Sequence, residues 1–121
     1  YSNGLVTVAY ELEDTVCNGG GFGCLAGSHK GHLPVPAAWR DLSRGVHPMV
    51  TRVPARAGAA IIFTEALTHG SMVNTSGRPR RTLYFCYSIG YMPDWGGQGL
   101  EFSDGFASRL SESRQTLLRL K

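Results

Sequence analysis

The stretch from Phe63 to Arg81 holds the residue types best suited to chemistry. An apolar run, Ala59-Ala-Ile-Ile-Phe63, leads to His69 at a Gly-Ser turn, and after a polar loop Arg78, Arg80 and Arg81 precede a second strand-like run, Thr82–Tyr87. Imidazole is the commonest metal-ligand side chain, and guanidinium is the one best shaped to grip a carboxylate with two parallel hydrogen bonds. The spacing predicts the two groups on neighbouring strand ends, as in a metal held beside an anionic small molecule. Taken alone, His69 reads more readily as a hydrogen-bonded structural histidine, because one histidine makes no metal site. Arg80 competes with Arg81, since adjacent strand residues face opposite ways and only one can point inward. Arg80 could also be a surface residue paired with Glu65 or Asp104, an arrangement of little energetic weight.

Elements must position these groups, and the chain supplies mostly strands. From Leu5 to Leu12, Val6, Val8, Tyr10 and Leu12 fall on one face while Leu5, Thr7, Ala9 and Glu11 share the other, the period-two signature of a strand. Asn18-Gly-Gly-Gly21 reads as a flexible turn before a short strand, Phe22–Leu25. The segment 31–46 carries Pro34, Pro36 and Trp39 and reads as an irregular connection with one helical turn near Ala37 to Leu42; loops of this length tend to be functional. Met49–Val53, Ala59–Phe63 and Thr82–Ile89 are further strands. Residues 1–90 form the strand-rich domain, and 91–121 a turn-rich tail ending in a short helix from Ser111 that packs on it, with Glu112 and Arg119 placed to suit the helix dipole. Short strands broken by Gly and Pro, with little helix, predict an all-β sandwich or barrel of the jelly-roll or cupin kind, whose mouth can hold a ligand.

Composition narrows the partners. The 121 residues fit one domain, and the start at Tyr1, shortly before a strand, reads as a cut through a longer polypeptide. No apolar run approaches the roughly 18 residues needed to span a bilayer, so no membrane segment is expected. Twelve Lys and Arg against nine Asp and Glu give a net charge of +3 without a basic block, which does not make a nucleic-acid footprint. Three cysteines without C-x-x-C spacing argue for free thiols in a reducing, intracellular compartment. Cys86, inside Tyr84-Phe-Cys-Tyr87, reads as a small buried hydrophobe.

Gly20-Gly-Phe-Gly-Cys-Leu-Ala-Gly27-Ser28-His29-Lys30, then Ile62-Phe63-Thr-Glu65-Ala-Leu67-Thr-His69-Gly70-Ser71, then Arg80-Arg81-Thr-Leu-Tyr resemble the phytanoyl-CoA dioxygenase family from about Val6 to Tyr87. The resemblance implies a double-stranded β-helix and an Fe(II)- and 2-oxoglutarate-dependent oxygenase that uses O2 on a small-molecule substrate. It assigns His69 to the distal iron ligand, Arg80 to the grip on the far carboxylate of 2-oxoglutarate, and Ser71 to a hydroxyl on that carboxylate. His29, Lys30 and Trp39 would lie on the substrate side, although Ser28 reads equally as a turn residue bonding local backbone, and Trp39 as an anchor for its loop. Asn74 would order the loop between His69 and Arg80.

The family's His-x-Asp pair has no counterpart here: none of His29, His32, His47 or His69 is followed two positions later by Asp or Glu. In the family that pair precedes the strand matched by Leu5–Leu12, so the intact protein is expected to be the enzyme and this chain alone to be inactive. Ala26 and Ala59 also depart from the family, which commonly has proline and aspartate there. Two other classes stay open. A non-catalytic jelly-roll binding module would need no His-x-Asp, and a cupin-type metal enzyme of different chemistry should show clustered histidines.

Overall fold

The computed structural model describes residues 4–16, 18–31, 34–41, 45–92, 102–103, 105–118 and 120. Among these residues six strands form two antiparallel sheets: β1 (Leu5–Glu11), β2 (Gly19–Leu25), β3 (Val50–Val53), β4 (Ala60–Thr64), β5 (His69–Asn74) and β6 (Thr82–Ser88). Sheet order is β4-β1-β6 in one and β3-β2-β5 in the other. The expected all-β architecture is therefore present, as two antiparallel sheets. Residues 91–121 make a second compact unit that contains α1 (Glu112–Leu117), preceded by Ser111 as its N-cap. No helix among the described residues is long and apolar enough to cross a membrane.

Strand β1 is central to its sheet, with Thr7 opposite both Phe63 and Cys86, and Ala9 opposite both Ile61 and Tyr84. Residues directly opposite each other share a face, so Leu5, Thr7, Ala9 and Glu11 form an inward row. All four are buried. The more apolar row, Val6, Val8 and Tyr10, faces outward instead, together with Ile62 from β4 and Leu83, Phe85 and Tyr87 from β6. Most of that outer row is exposed. The two sheets meet where Ala9, Phe22 and Phe63 pack, the two phenyl rings lying 4.7 Å apart.

Several local expectations are corrected. The glycines at 19–21 are not a free turn: they open β2, buried against their neighbours. Gly20 and Gly21 take φ values of 77° and 102°, and a Cβ at Gly20 would lie 2.8 Å from the Met72 carbonyl oxygen. The left-handed conformation and the close backbone thus both require glycine while the strand pairing is kept. His69 is not on a turn either, because it is the first residue of β5. Nor are His69 and Arg80 on neighbouring strands: β5 pairs with β2, whereas Arg80 lies just before β6 in the opposite sheet. Arg80 instead reaches β5 from the other sheet, at Ser71.

The helical turn anticipated near Ala37 to Leu42 is a short 3-10 turn, Ala37–Trp39, and Leu42 lies outside the described residues. Cys86 is exposed rather than buried, because β6 forms one edge of its sheet, and its Sγ lies 3.3 Å from the Thr7 hydroxyl. Cys24 and Cys86 are free thiols, and burial pushes the Cys24 thiol up. Cys17 and His32 lie outside the described residues.

Candidate functional site

The inward row of β1 forms the floor of the site. Glu11 is fully buried there. Arg80 Nη1 donates to Glu11 Oε1 at 3.2 Å and to Oε2 at 3.3 Å, and the Thr82 hydroxyl donates to Oε2 at 2.7 Å. Arg80 therefore alternates in phase with Thr82, which faces Glu11 across the pair, and this phase turns Arg80 inward. Arg81, one position on, faces out. Its side chain is 73% exposed, its Nη2 lies 2.6 Å from Glu13 Oε1, and its backbone N–H donates to Glu13 Oε2 at 2.6 Å. That backbone N–H, helped by the Arg81 guanidinium, holds the Glu13 carboxyl below its ordinary value. Of the alternative surface partners considered for Arg80, Glu65 accepts instead from the Thr7 hydroxyl at 3.1 Å, and Asp104 lies outside the described residues.

From the opposite sheet, β5 contributes His69 and Ser71, which share a face by the two-residue strand period. Arg80 Nη2 reaches Ser71 Oγ at 3.4 Å, which links the two sheets. The His69 ring stacks on Phe22 at 5.6 Å and packs against Phe63 at 4.4 Å. Its Nδ1 lies 2.7 Å from the Leu67 carbonyl oxygen. A carbonyl can only accept, so Nδ1 is the donor in this contact. That leaves Nε2 as the ring nitrogen open to a metal. Among the described residues, no group of three or more His, Cys, Asp or Glu side chains could hold a metal ion. These residues accordingly do not make up a complete iron site.

Two loops hold β5 in place. Ser28 does not bond local backbone: its hydroxyl accepts the Thr68 N–H at 2.8 Å, 40 residues away, immediately before His69. Asn74 closes the other end of the strand, donating to the Arg78 carbonyl at 2.8 Å and accepting the Ser76 N–H at 3.0 Å. This orders the connection between His69 and Arg80. His29 and Lys30 are exposed in the 3-10 turn that Ser28 begins.

Trp39 stacks on His47 with ring centroids 3.8 Å apart. It also lines a cavity of about 350 Å³ with Leu25, Val35, Arg40, Val50 and His69. Leu25 and Val50 are paired, and they project from the sheet face opposite to Phe22 and Ser71. His69 and its cross-strand partner Cys24 are wall residues that this cavity shares with the face bearing Phe22 and Ser71. The residue that sequence reasoning missed is Glu11. An alternating strand with one acidic residue reads as solvent-facing, and no local signal ties it to an arginine 69 positions later.

Two antiparallel sheets packed on Ala9, Phe22 and Phe63, with Arg80 beside Ser71, define a cupin-like β protein. The phytanoyl-CoA dioxygenase family model matches residues 2–82, and the chain belongs to that family. Comparison with curated proteins gives no match. Among solved structures, HygX from Streptomyces hygroscopicus with nickel, 2-oxoglutarate and hygromycin B bound is 26% identical, with a TM-score of 0.65 over 75% of this chain and 38% of that one. The same protein with iron bound is 25% identical, with a TM-score of 0.65 over 75% and 40%. AviO1 from Streptomyces viridochromogenes Tue57 is 28% identical, with a TM-score of 0.55 over 74% and 39%. The chain thus spans about two-fifths of the length of these structures.

Proposed function

We propose that this chain belongs to an Fe(II)- and 2-oxoglutarate-dependent dioxygenase that hydroxylates an unactivated C–H bond of a small organic substrate and releases succinate and CO2. The observation that carries the reading is the Arg80–Ser71 contact on the face that also bears His69. A guanidinium and a hydroxyl side by side are suited to one carboxylate, because the guanidinium offers parallel N–H donors and the hydroxyl a further one. Family membership and the 2-oxoglutarate bound in HygX support that assignment.

In this reading Arg80 and Ser71 fix the far carboxylate of 2-oxoglutarate, and His69 presents Nε2 as one protein ligand to iron. The metal, when bound, supplies the oxidising chemistry, and the chain supplies position and shielding. Phe22 and Phe63 pack the His69 ring and so limit its rotation, while the Leu67 carbonyl holds its proton on Nδ1. Trp39 and the cavity beside it would belong to the substrate side, with His29 and Lys30 further out on the rim. The remaining ligands, a His-x-Asp pair, would come from sequence upstream of Leu5.

Succinate formation from 2-oxoglutarate by the full-length protein with Fe(II) tests the proposal: His69→Ala should abolish it, and equal turnover with and without the substitution would overturn it. The isolated 121-residue chain should not bind Fe(II) stoichiometrically in titration, because one imidazole is too few ligands. The lack of a three-ligand cluster among the described residues favours one alternative, a jelly-roll binding module that keeps the Arg80–Ser71 pair without turnover. Calorimetric binding of 2-oxoglutarate without any succinate production by the full-length protein would select it.

A further inference from the structure

Glu11 is a fully buried carboxylate to which the proposed chemistry gives no role. Burying an ion pair costs desolvation that its mutual attraction offsets only with good geometry, so such a pair is weak evidence of a purely stabilising purpose. Here the geometry is directional. Both Glu11 oxygens hold Nη1 of Arg80, the Thr82 hydroxyl anchors Oε2, and the other terminal nitrogen, Nη2, is left turned towards Ser71. A guanidinium is planar, so fixing Nη1 from one side fixes the plane in which Nη2 is presented.

We propose that Glu11 is a positioning residue for the anion site. It pins the Arg80 guanidinium before any ligand arrives, so that Nη2 and the Ser71 hydroxyl meet the far carboxylate of 2-oxoglutarate in a preset arrangement. This rests on the reading of Arg80 as the carboxylate grip. Thr82 is the second member of the device, since it fixes the oxygen that accepts its hydroxyl. Ordering a long cationic side chain in advance removes that cost from the binding step.

The test is a double-mutant cycle read by calorimetric Kd for 2-oxoglutarate, using the full-length protein loaded with nickel(II) so that no turnover intervenes. In the Arg80 background, Glu11→Ala should weaken binding about tenfold, and in the Arg80→Ala background less than about twofold, because residues in one ion-pair network couple. Thr82→Val keeps the side-chain shape, removes the donor to Oε2, and should weaken binding about threefold with the same loss of effect when Arg80 is absent. It carries the test if Glu11→Ala fails to fold. Arg80→Ala weakening binding while Glu11→Ala and Thr82→Val leave it within twofold overturns this inference alone. An equal effect of the Glu11 and Thr82 substitutions in both Arg80 backgrounds also overturns it, since that is the signature of a merely structural role. Unchanged binding in Arg80→Ala overturns the carboxylate-grip reading, and this inference with it.

Discussion

Arg80 and Arg81 are chemically identical neighbours with opposite environments, one against a buried carboxylate and the other 73% exposed beside Glu13. Strand alternation requires that they differ, yet it does not say which faces in; the phase is set by Thr82, whose pairing with Glu11 is a long-range fact. His69 stands out in the sequence as a candidate because the Gly-Ser after it and the arginine eleven positions on form a spaced pattern. Glu11 was not, because its partner comes from another part of the chain.

Glu13 makes a pH prediction with a definite sign. Its carboxyl titrates lower in the folded state, chiefly through the Arg81 backbone N–H. The stabilisation is therefore present above its unfolded pKa and is lost as pH falls through the folded one. Thermal melts of Glu13→Gln should lie slightly below the parent at neutral pH, and the gap should close in acid. Ser28→Ala should cost about 1–2 kcal/mol in chemical denaturation, since the part-buried Thr68 N–H loses its acceptor.

At the scale of elements, the strands were readable where apolar and polar residues alternate, as in β1, or where aromatic and β-branched residues gather, as in β6. The opening of β2 was not, because three glycines carry no pattern and normally signal a turn. There the backbone itself does the packing: Gly20 lies against the Met72 carbonyl with φ of 77°. Gly20→Ala should destabilise the protein by about 2–4 kcal/mol, adding left-handed strain to a backbone clash. Equilibrium unfolding measures this, and a value near zero would mean that β2 does not enter its sheet as described. β5 was hidden for a related reason. His69-Gly70-Ser71 has turn composition, and only pairing with Cys24, Gly23 and Phe22 makes it a strand.

For the whole molecule, the sheet built on β1 keeps apolar side chains on both faces, buried on one and largely exposed on the other. Exposed Tyr10, Ile62, Leu83, Phe85 and Tyr87 form a contiguous outer face. A face of this kind binds hydrophobic dyes and promotes association. The 121-residue chain should therefore enhance anilinonaphthalene sulfonate fluorescence, and Ile62→Lys with Phe85→Lys should reduce the enhancement. The strand orders β4-β1-β6 and β3-β2-β5 carry one more consequence, in time rather than in space. Among the described residues no strand pair is a tight hairpin; even the pair closest in sequence joins Leu25 to Val50. Each ladder must close a long loop before its contacts repay the entropy, which slows folding. Glu11 meets Arg80 only after β1 has found β6, so during refolding this ion pair forms later than any local turn.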